Sequence, residues 1–209
     1  MRRQNTLRGV RGNRHLSLDY WIPEFQLQSE RDRVNDVSFD KNGWVHNATN
    51  IAYQGLDDAI LDDFGFNLVT KFAHLTFHTD MDVTYSYTSC GTVFSKLING
   101  EGLAKVSIKN FQFGLSMPFD IKEINGKKFI DLKGVNSWYQ IRDKAVFNFE
   151  NLYNGNKEQS EAIHNLFNKN WKFVAEEFGK DFSEKLVDGI FYKLKNYMLT
   201  MPLKDFATC

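Results

Sequence analysis

Apolar and polar residues alternate along the middle of the chain, and this period of two predicts long β-strands. One stretch, Leu75–Tyr87, places apolar side chains on odd positions and His, Asp, Thr and Ser between them. A second stretch, Leu103–Glu123, changes parity between Ile108 and Phe111, which predicts a bulge near Asn110. Both strands are far longer than the usual ~5–6 residues, and each has one apolar and one polar face.

Three Asn-Gly pairs separate β-like segments, and this dipeptide is the strongest short signal for a two-residue hairpin turn. Because hairpins join antiparallel strands, the sheet is predicted to be antiparallel. The pairs are Asn42-Gly43, Asn99-Gly100 and Asn125-Gly126.

The apolar period changes near Lys157. From there to Thr200, apolar residues recur at steps of three and four, which predicts an amphipathic helix of about 44 residues that Pro202 ends. Such a helix is ~66 Å long, whereas a compact chain of this size is only about 43 Å across. The helix therefore either breaks at Gly179 or Gly189 or lies in an elongated body, and the long strands favour elongation.

A long, curved antiparallel sheet wrapped around one long C-terminal helix satisfies both patterns, because it buries the apolar stripe of the helix against the apolar face of the sheet. We predict this elongated α+β fold. Wherever side chains do not fill the space along its axis, a tunnel remains. Residues 1–18 are predicted to be a basic flexible leader, and residues 19–209 a single ligand-binding domain.

Aromatic content changes this picture most. The chain contains 19 Phe, 8 Tyr and 4 Trp, or 15 % aromatic residues. This excess indicates either an unusually aromatic core or an apolar cavity, and methionine suits a cavity because its thioether adapts to irregular shapes. The predicted tunnel lining comes from both long strands and the helix: Phe77, Met81, Val83, Tyr85, Phe111, Phe113, Leu115, Met117, Phe119, Phe167, Trp171, Val174, Phe178 and Phe182.

Polar residues supply three candidate anchors for a ligand, Tyr85, Tyr139 and His164. A polar strand face carries His74, His78, Asp80 and Asp82, but their spacing matches no metal motif, so we interpret this face as solvated and predict no metal site. The chain has no nucleophile elbow, zinc-protease motif, P-loop or dinucleotide fingerprint. We therefore predict neither an enzyme nor a cofactor.

Charge excludes one further class. The net charge is zero, which argues against a nucleic-acid partner. Residues 1–14 contain five arginines and no acidic residue, so the rest of the chain carries a mildly negative charge that balances them. No apolar stretch approaches the ~20 residues of a membrane span. Cys90 and Cys209 could pair or stay free, and Asn47-Ala48-Thr49 is a glycosylation sequon.

Several motifs resemble the takeout/juvenile-hormone-binding family of arthropods. The segment from Asn151 to Glu158 reads N-L-Y-N-G-N-K-E, and N-K-N-W follows at Asn168–Trp171. Leu97–Phe113 is similar to a hairpin of that family, and Asn50–Leu56 to its short G-L segment. The resemblance spans residues 19–206. In the family a secretory signal and a helix with a cysteine pair usually precede this point, where this chain has its basic leader.

The resemblance implies a super-roll fold, secretion into the haemolymph and carriage of a small hydrophobic ligand such as a terpenoid like juvenile hormone, a fatty acid or a carotenoid. We expect a monomer that binds this ligand in its axial tunnel. The alternative is a lipid-transfer or membrane-surface module, whose basic leader would contact anionic lipid without spanning the bilayer.

Overall fold

The computed structural model describes residues 7–8 and 36–206. In this part of the chain an eight-stranded sheet precedes the helices, and every strand pairing in it is antiparallel. The strands are β1 (Leu7–Arg8), β2 (Val37–Lys41), β3 (Trp44–Gln54), β4 (Ile60–Asn67), β5 (Phe72–Val93), β6 (Lys96–Ile124), β7 (Lys127–Leu132) and β8 (Asn136–Phe149). The helices are α1 (Lys157–Lys169), α2 (Trp171–Met198) and α3 (Leu203–Phe206), with a 3-10 turn at Tyr153–Gly155 before them.

Strands β5 and β6 form the spine of the sheet, with 22 and 29 residues, and they pair along nearly their whole length. On the outer edge of β5, β4 pairs near its start and β3 further along. On the outer edge of β6, β8 pairs first and β7 last. The predicted fold is confirmed: the sheet is a curled half-barrel, and the helical segment lies against it.

The predicted bulge is confirmed at Asn110. Lys109 and Asn110 lie opposite the single residue Asp80, and Asn110 has a φ of 53°. The Asp80 carboxylate accepts hydrogen bonds from the Asn110 N–H at 2.9 Å and from the Lys109 ammonium at 2.8 Å. Near the bulge, the apolar residues of β6 are on even positions up to Ile108 and on odd positions from Phe111. Because the bulge adds one residue between them, both sets face the core.

Two of the three predicted hairpin turns are confirmed. Asn42-Gly43 joins β2 to β3 and Asn125-Gly126 joins β6 to β7, each with two positive φ angles. The prediction for Asn99-Gly100 is wrong: this pair lies inside β6, and Phe94-Ser95 forms the turn after β5. Gly100 is needed there because a Cβ would lie 2.9 Å from the Leu152 Cα atom.

The predicted single helix is wrong in one respect, since it is interrupted at Asn170. This residue leaves the helical region at φ −107° and ψ 29°, and its side-chain amide donates to the Leu166 carbonyl at 2.8 Å. The sequence allowed a helix break at Gly179 or Gly189, but both residues lie inside α2. At 28 residues α2 is ~42 Å long, which is shorter than the ~66 Å of the unbroken helix predicted from the sequence.

Candidate ligand-binding cavity

A cavity of about 90 Å³ lies between the sheet and α2, counting the space that the centre of a water molecule can reach. Its walls come from β2, β3, β5, β6, β8 and α2. Among the described residues that line it, none carries a formal charge at neutral pH, and nearly all are aromatic or aliphatic. Apolar cavities of this kind stay dry and favour apolar occupants.

Half of the predicted tunnel lining lies on the wall of this cavity. The alternation along β5 and β6 correctly identified the inward face, and the helical period identified the inward stripe of α2. The predicted residues on the wall are Met81, Val83, Tyr85, Phe111, Val174, Phe178 and Phe182.

The other half lies outside the cavity. Beyond Phe111, on the far side of the bulge, the same face of β5 and β6 is filled by packing, as where the Phe77 and Phe113 rings meet at 5.5 Å. Phe167 of α1 is fully buried against Trp44 and Phe149. The alternation of apolar and polar residues identifies the side of a strand that faces the core. It does not identify the part of that side where the cavity remains unfilled. The predicted residues away from the wall are Phe77, Phe113, Leu115, Met117, Phe119, Phe167 and Trp171.

Sequence reasoning missed the contribution of β2, β3 and β8. In β3, Trp44, His46 and Ala48 alternate with more exposed neighbours, so the signal was present but lay outside the two long strands. Trp44 packs edge-on against Phe178 of α2 at 4.6 Å between ring centroids, and its indole N–H donates to the Ser89 hydroxyl at 2.5 Å. Further wall residues that were missed are Phe39, Tyr53, Val106, Ile108, Ile141, Ala145, Phe147, Phe149 and Leu186.

The three predicted anchors occupy different environments. Tyr139 lines the cavity, but its hydroxyl donates to the Ala175 carbonyl at 2.9 Å and so joins β8 to α2. His164 lies on α1, where its Nε2 accepts a hydrogen bond from the Phe149 N–H at 2.9 Å. Tyr85 is on the wall, and burial raises the pKa of its phenol.

His46 is the most unusual side chain of the wall. It is only 1 % exposed, and its ring stacks between Phe39 at 5.3 Å and Tyr87 at 5.7 Å. Its Nδ1 atom is buried without a hydrogen-bond partner. Burial lowers the pKa of His46 to about 4, so the imidazole is neutral at neutral pH.

Charges lie on the opposite, polar face of the spine. His78 and Asp62 are 2.8 Å apart, and Asp82 binds Lys105 at 2.8 Å. The hydrogen bond from Lys105, followed by one from Ser107, lowers the pKa of Asp82. In the described ranges no group of three His, Cys, Asp or Glu side chains could hold a metal ion.

Other predicted features lie on the surface or outside the described residues. Asn47 is exposed on β3, where its amide nitrogen donates to the Thr88 hydroxyl at 3.2 Å. Cys90 is a free, exposed thiol, whereas Cys209 lies outside the described residues. The basic leader also lies outside them, apart from the two-residue strand β1. No helix in the described part of the chain has both the length and the hydrophobicity to cross a membrane.

A curled antiparallel sheet that holds an uncharged apolar cavity against a long helix defines a class of protein that binds small hydrophobic ligands. Within this class, the family model described as haemolymph juvenile hormone binding protein (JHBP) matches residues 22–208, and the chain belongs to this family. Its members are binding proteins and are not known as enzymes.

A comparison with solved structures supports the assignment. The crystal structure of Epiphyas postvittana Takeout 1 is similar to this chain, with a TM-score of 0.79 and 30 % sequence identity. The match covers 83 % of this chain and 81 % of Takeout 1. A comparison with curated proteins finds no match. The resemblance to the takeout/juvenile-hormone-binding family is thus confirmed by both fold and sequence.

Proposed function

We propose that this protein is a secreted carrier that holds one small apolar molecule in the cavity between its sheet and α2. The observation that carries the proposal is the wall itself, whose described residues are mostly aromatic or aliphatic and carry no charge. Terpenoids, acyl chains and carotenoids are the ligand classes we consider. The family description, with its reference to haemolymph and juvenile hormone, supports both secretion and a terpenoid-like ligand.

The energetics favour such a ligand without many polar contacts. Burying ~400 Å² of apolar ligand surface contributes roughly 10 kcal/mol at ~25 cal/mol per Å². Immobilising the ligand and ordering the wall take back several kcal/mol. The remainder supports micromolar to nanomolar binding with one or two polar anchors.

The polar groups of the wall support carriage rather than catalysis. The Ser183 hydroxyl donates to the Lys180 carbonyl at 2.8 Å, and the Tyr139 hydroxyl donates to the Ala175 carbonyl. Both groups are therefore occupied in stabilising α2 and its contact with β8. A serine that donates to its own helix is not aligned with a general base as an activated nucleophile would be.

A pair of cavity-filling and control variants tests the proposal. Val83 lines the cavity and is 5 % exposed, so Val83→Phe places its added ring in the empty space. We expect this variant to lose at least about tenfold in affinity for Nile red, an uncharged apolar fluorophore, while keeping its stability. The measurement is a fluorescence titration of the purified full chain.

The matched control is Val93→Phe. Val93 is equally buried on the same strand but is not on the cavity wall. Overpacking at this position should cost about 1–3 kcal/mol of stability and leave Nile red affinity within about twofold. Failure of the wild-type chain to bind Nile red, or equal binding by the wild type and Val83→Phe, would contradict the proposal.

A further inference from the structure

The wall of the cavity is not equally buried on all sides. The described wall residues of β2, β3 and β5 are all buried, whereas β6, β8 and α2 each contribute wall residues that are partly exposed. On β8 and α2 the partly exposed wall residues are Tyr139, Ile141, Gly179, Phe182 and Ser183. The cavity therefore comes closest to solvent along the line where β8 meets α2.

The helix α2 spans the space between two edge strands. In the described part of the chain β2 pairs with β3 alone and β8 with β6 alone, and α2 contacts both β2 and β8. At β2, the Lys41 ammonium binds the Asp181 carboxylate of α2. The Tyr53 hydroxyl of β3 donates to the Phe182 carbonyl at 2.7 Å. These contacts do not involve β8, so a separation of α2 from β8 does not break them.

Tyr139 closes the line between β8 and α2. Its hydroxyl donates to the Ala175 carbonyl at 2.9 Å, and its ring stacks on Phe111 with 5.8 Å between centroids. Burial raises the pKa of this phenol, and the charges of Glu176 and Asp181 raise it further, so the hydroxyl keeps its proton at neutral pH. A single hydrogen bond between neutral groups contributes little to stability. The contact therefore breaks and re-forms at far lower cost than unfolding of the molecule.

Gly179 makes room for this contact in α2. A Cβ atom at this position would lie 3.1 Å from the Tyr139 hydroxyl oxygen, which is closer than ordinary van der Waals contact. Glycine in the interior of a helix is destabilising relative to alanine, and the approach of Tyr139 explains why it is present here. Gly189 lies further along α2, where no neighbouring element in the described part of the chain comes within 4 Å of such a Cβ.

We propose that the ligand enters and leaves the cavity between β8 and α2, and that Tyr139 is the gate of this portal. The portal is bordered by the partly exposed wall residues of β8 and α2 named above. When the Tyr139 hydroxyl leaves the Ala175 carbonyl, the path to the apolar wall opens, and when the bond re-forms the ligand is enclosed. The inference rests on the proposed function and adds the route by which the ligand moves.

Stopped-flow fluorescence with Nile red and the purified full chain measures the rates in both directions. Tyr139→Phe keeps the ring that packs on Phe111 and removes only the hydrogen-bond donor. We expect association and dissociation both to become about fivefold faster, which is the range of one hydrogen bond. A residue that only contacts the ligand would alter mainly dissociation, whereas a gate stands in the path in both directions.

The two glycines of α2 provide a matched pair of variants. In Gly179→Ala the added Cβ displaces the Tyr139 hydroxyl, so both rates should rise at least about threefold. Gly189→Ala gives the helix the same gain in intrinsic propensity without touching Tyr139. Its rates should stay within about twofold of the wild-type values.

A third variant tests which side of α2 opens. Lys41 is not a wall residue, and Lys41→Met removes the ion pair with Asp181 at β2 while keeping an apolar stem. Because this contact lies away from β8, both rates should stay within about twofold of the wild-type values.

The remaining outcomes overturn the inference. Unchanged rates in Tyr139→Phe, or faster dissociation without faster association, would show that Tyr139 is not the gate. Equal acceleration by Gly179→Ala and Gly189→Ala, or by Lys41→Met and Tyr139→Phe, would refute a portal between β8 and α2. In each of these cases Nile red still binds, so the proposed function stands. If the wild-type chain binds no Nile red, the proposed function itself fails.

Discussion

His46 shows what a single residue position can and cannot reveal before the fold is known. The alternation of Trp44, His46 and Ala48 along β3 predicts that the imidazole points into the core. It does not predict that Nδ1 lacks a partner, because this depends on which side chains of β2, β5 and β8 arrive around it. The polar residues chosen from the sequence illustrate the same limit: Tyr139 and His164 form internal hydrogen bonds.

The buried imidazole makes stability depend on pH. In the unfolded chain His46 titrates near its ordinary pKa of 6.5, whereas burial lowers the folded value to about 4. Between these values the unfolded state binds more protons, so stability falls as pH falls. Its titratable ring contacts, Tyr85 and Tyr87, remain neutral because burial raises the pKa of both phenols.

We therefore expect the free energy of unfolding of the wild type to decrease by about 3 kcal/mol through His46 alone as pH falls from 6.5 toward 4. Urea denaturation at several pH values measures this loss. His46→Gln has no titrating group at this position, so its stability should decline less over the same range. If the free energy of unfolding fell equally with pH in the wild type and in His46→Gln, the loss of stability could not be attributed to His46.

At the scale of elements, side chains of α1 bind the backbone of β8, which in the described part of the chain pairs with β6 alone. The Asn168 side chain accepts from the Phe147 N–H at 2.7 Å and donates to the Phe147 carbonyl at 3.2 Å. One helical turn earlier, His164 accepts from the Phe149 N–H. Two residues one helical turn apart, His164 and Asn168, therefore bind the backbone of two alternate strand residues, Phe149 and Phe147. These contacts give the N-K-N-W motif that begins at Asn168 a structural role.

Asn168→Ala should destabilise the protein by about 1–3 kcal/mol, because it leaves two backbone groups of Phe147 without partners. Asn165→Ala is the matched control, since Asn165 is exposed on the same helix and loses no such contact. Its stability should change by less than about 0.5 kcal/mol. Equal effects of the two substitutions in chemical denaturation would contradict this role.

The elements themselves were largely predictable, for physical reasons that also explain the errors. Long alternation identified β5 and β6, and the change of parity identified the bulge at Asn110, because side-chain direction follows backbone period. The helix break at Asn170 was missed since it interrupts the backbone without interrupting the apolar period. The pair Asn99-Gly100 looked like a turn because local sequence does not show the Leu152 backbone that approaches Gly100.

At the scale of the whole molecule, the cavity exists because a curled sheet and a long helix enclose more volume than their side chains fill. The apolar faces that meet are visible in the sequence. The location of the remaining space is not, since it depends on small differences between packed volumes on the two sides of the bulge. This is why Met81 lies on the wall while Met117, on the same inward face of the sheet, is buried outside it.

These two methionines provide the most direct test of ligand binding in the cavity. In the full chain with labelled methionine methyl groups, saturation with dodecanol is followed by NMR, and the Met81 and Met117 signals are assigned with Met→Leu variants. We predict that the Met81 methyl resonance shifts while the Met117 resonance, from a residue that is 2 % exposed, stays in place. A shift of Met117 without one of Met81, or no shift of either at saturation, would contradict binding in the cavity.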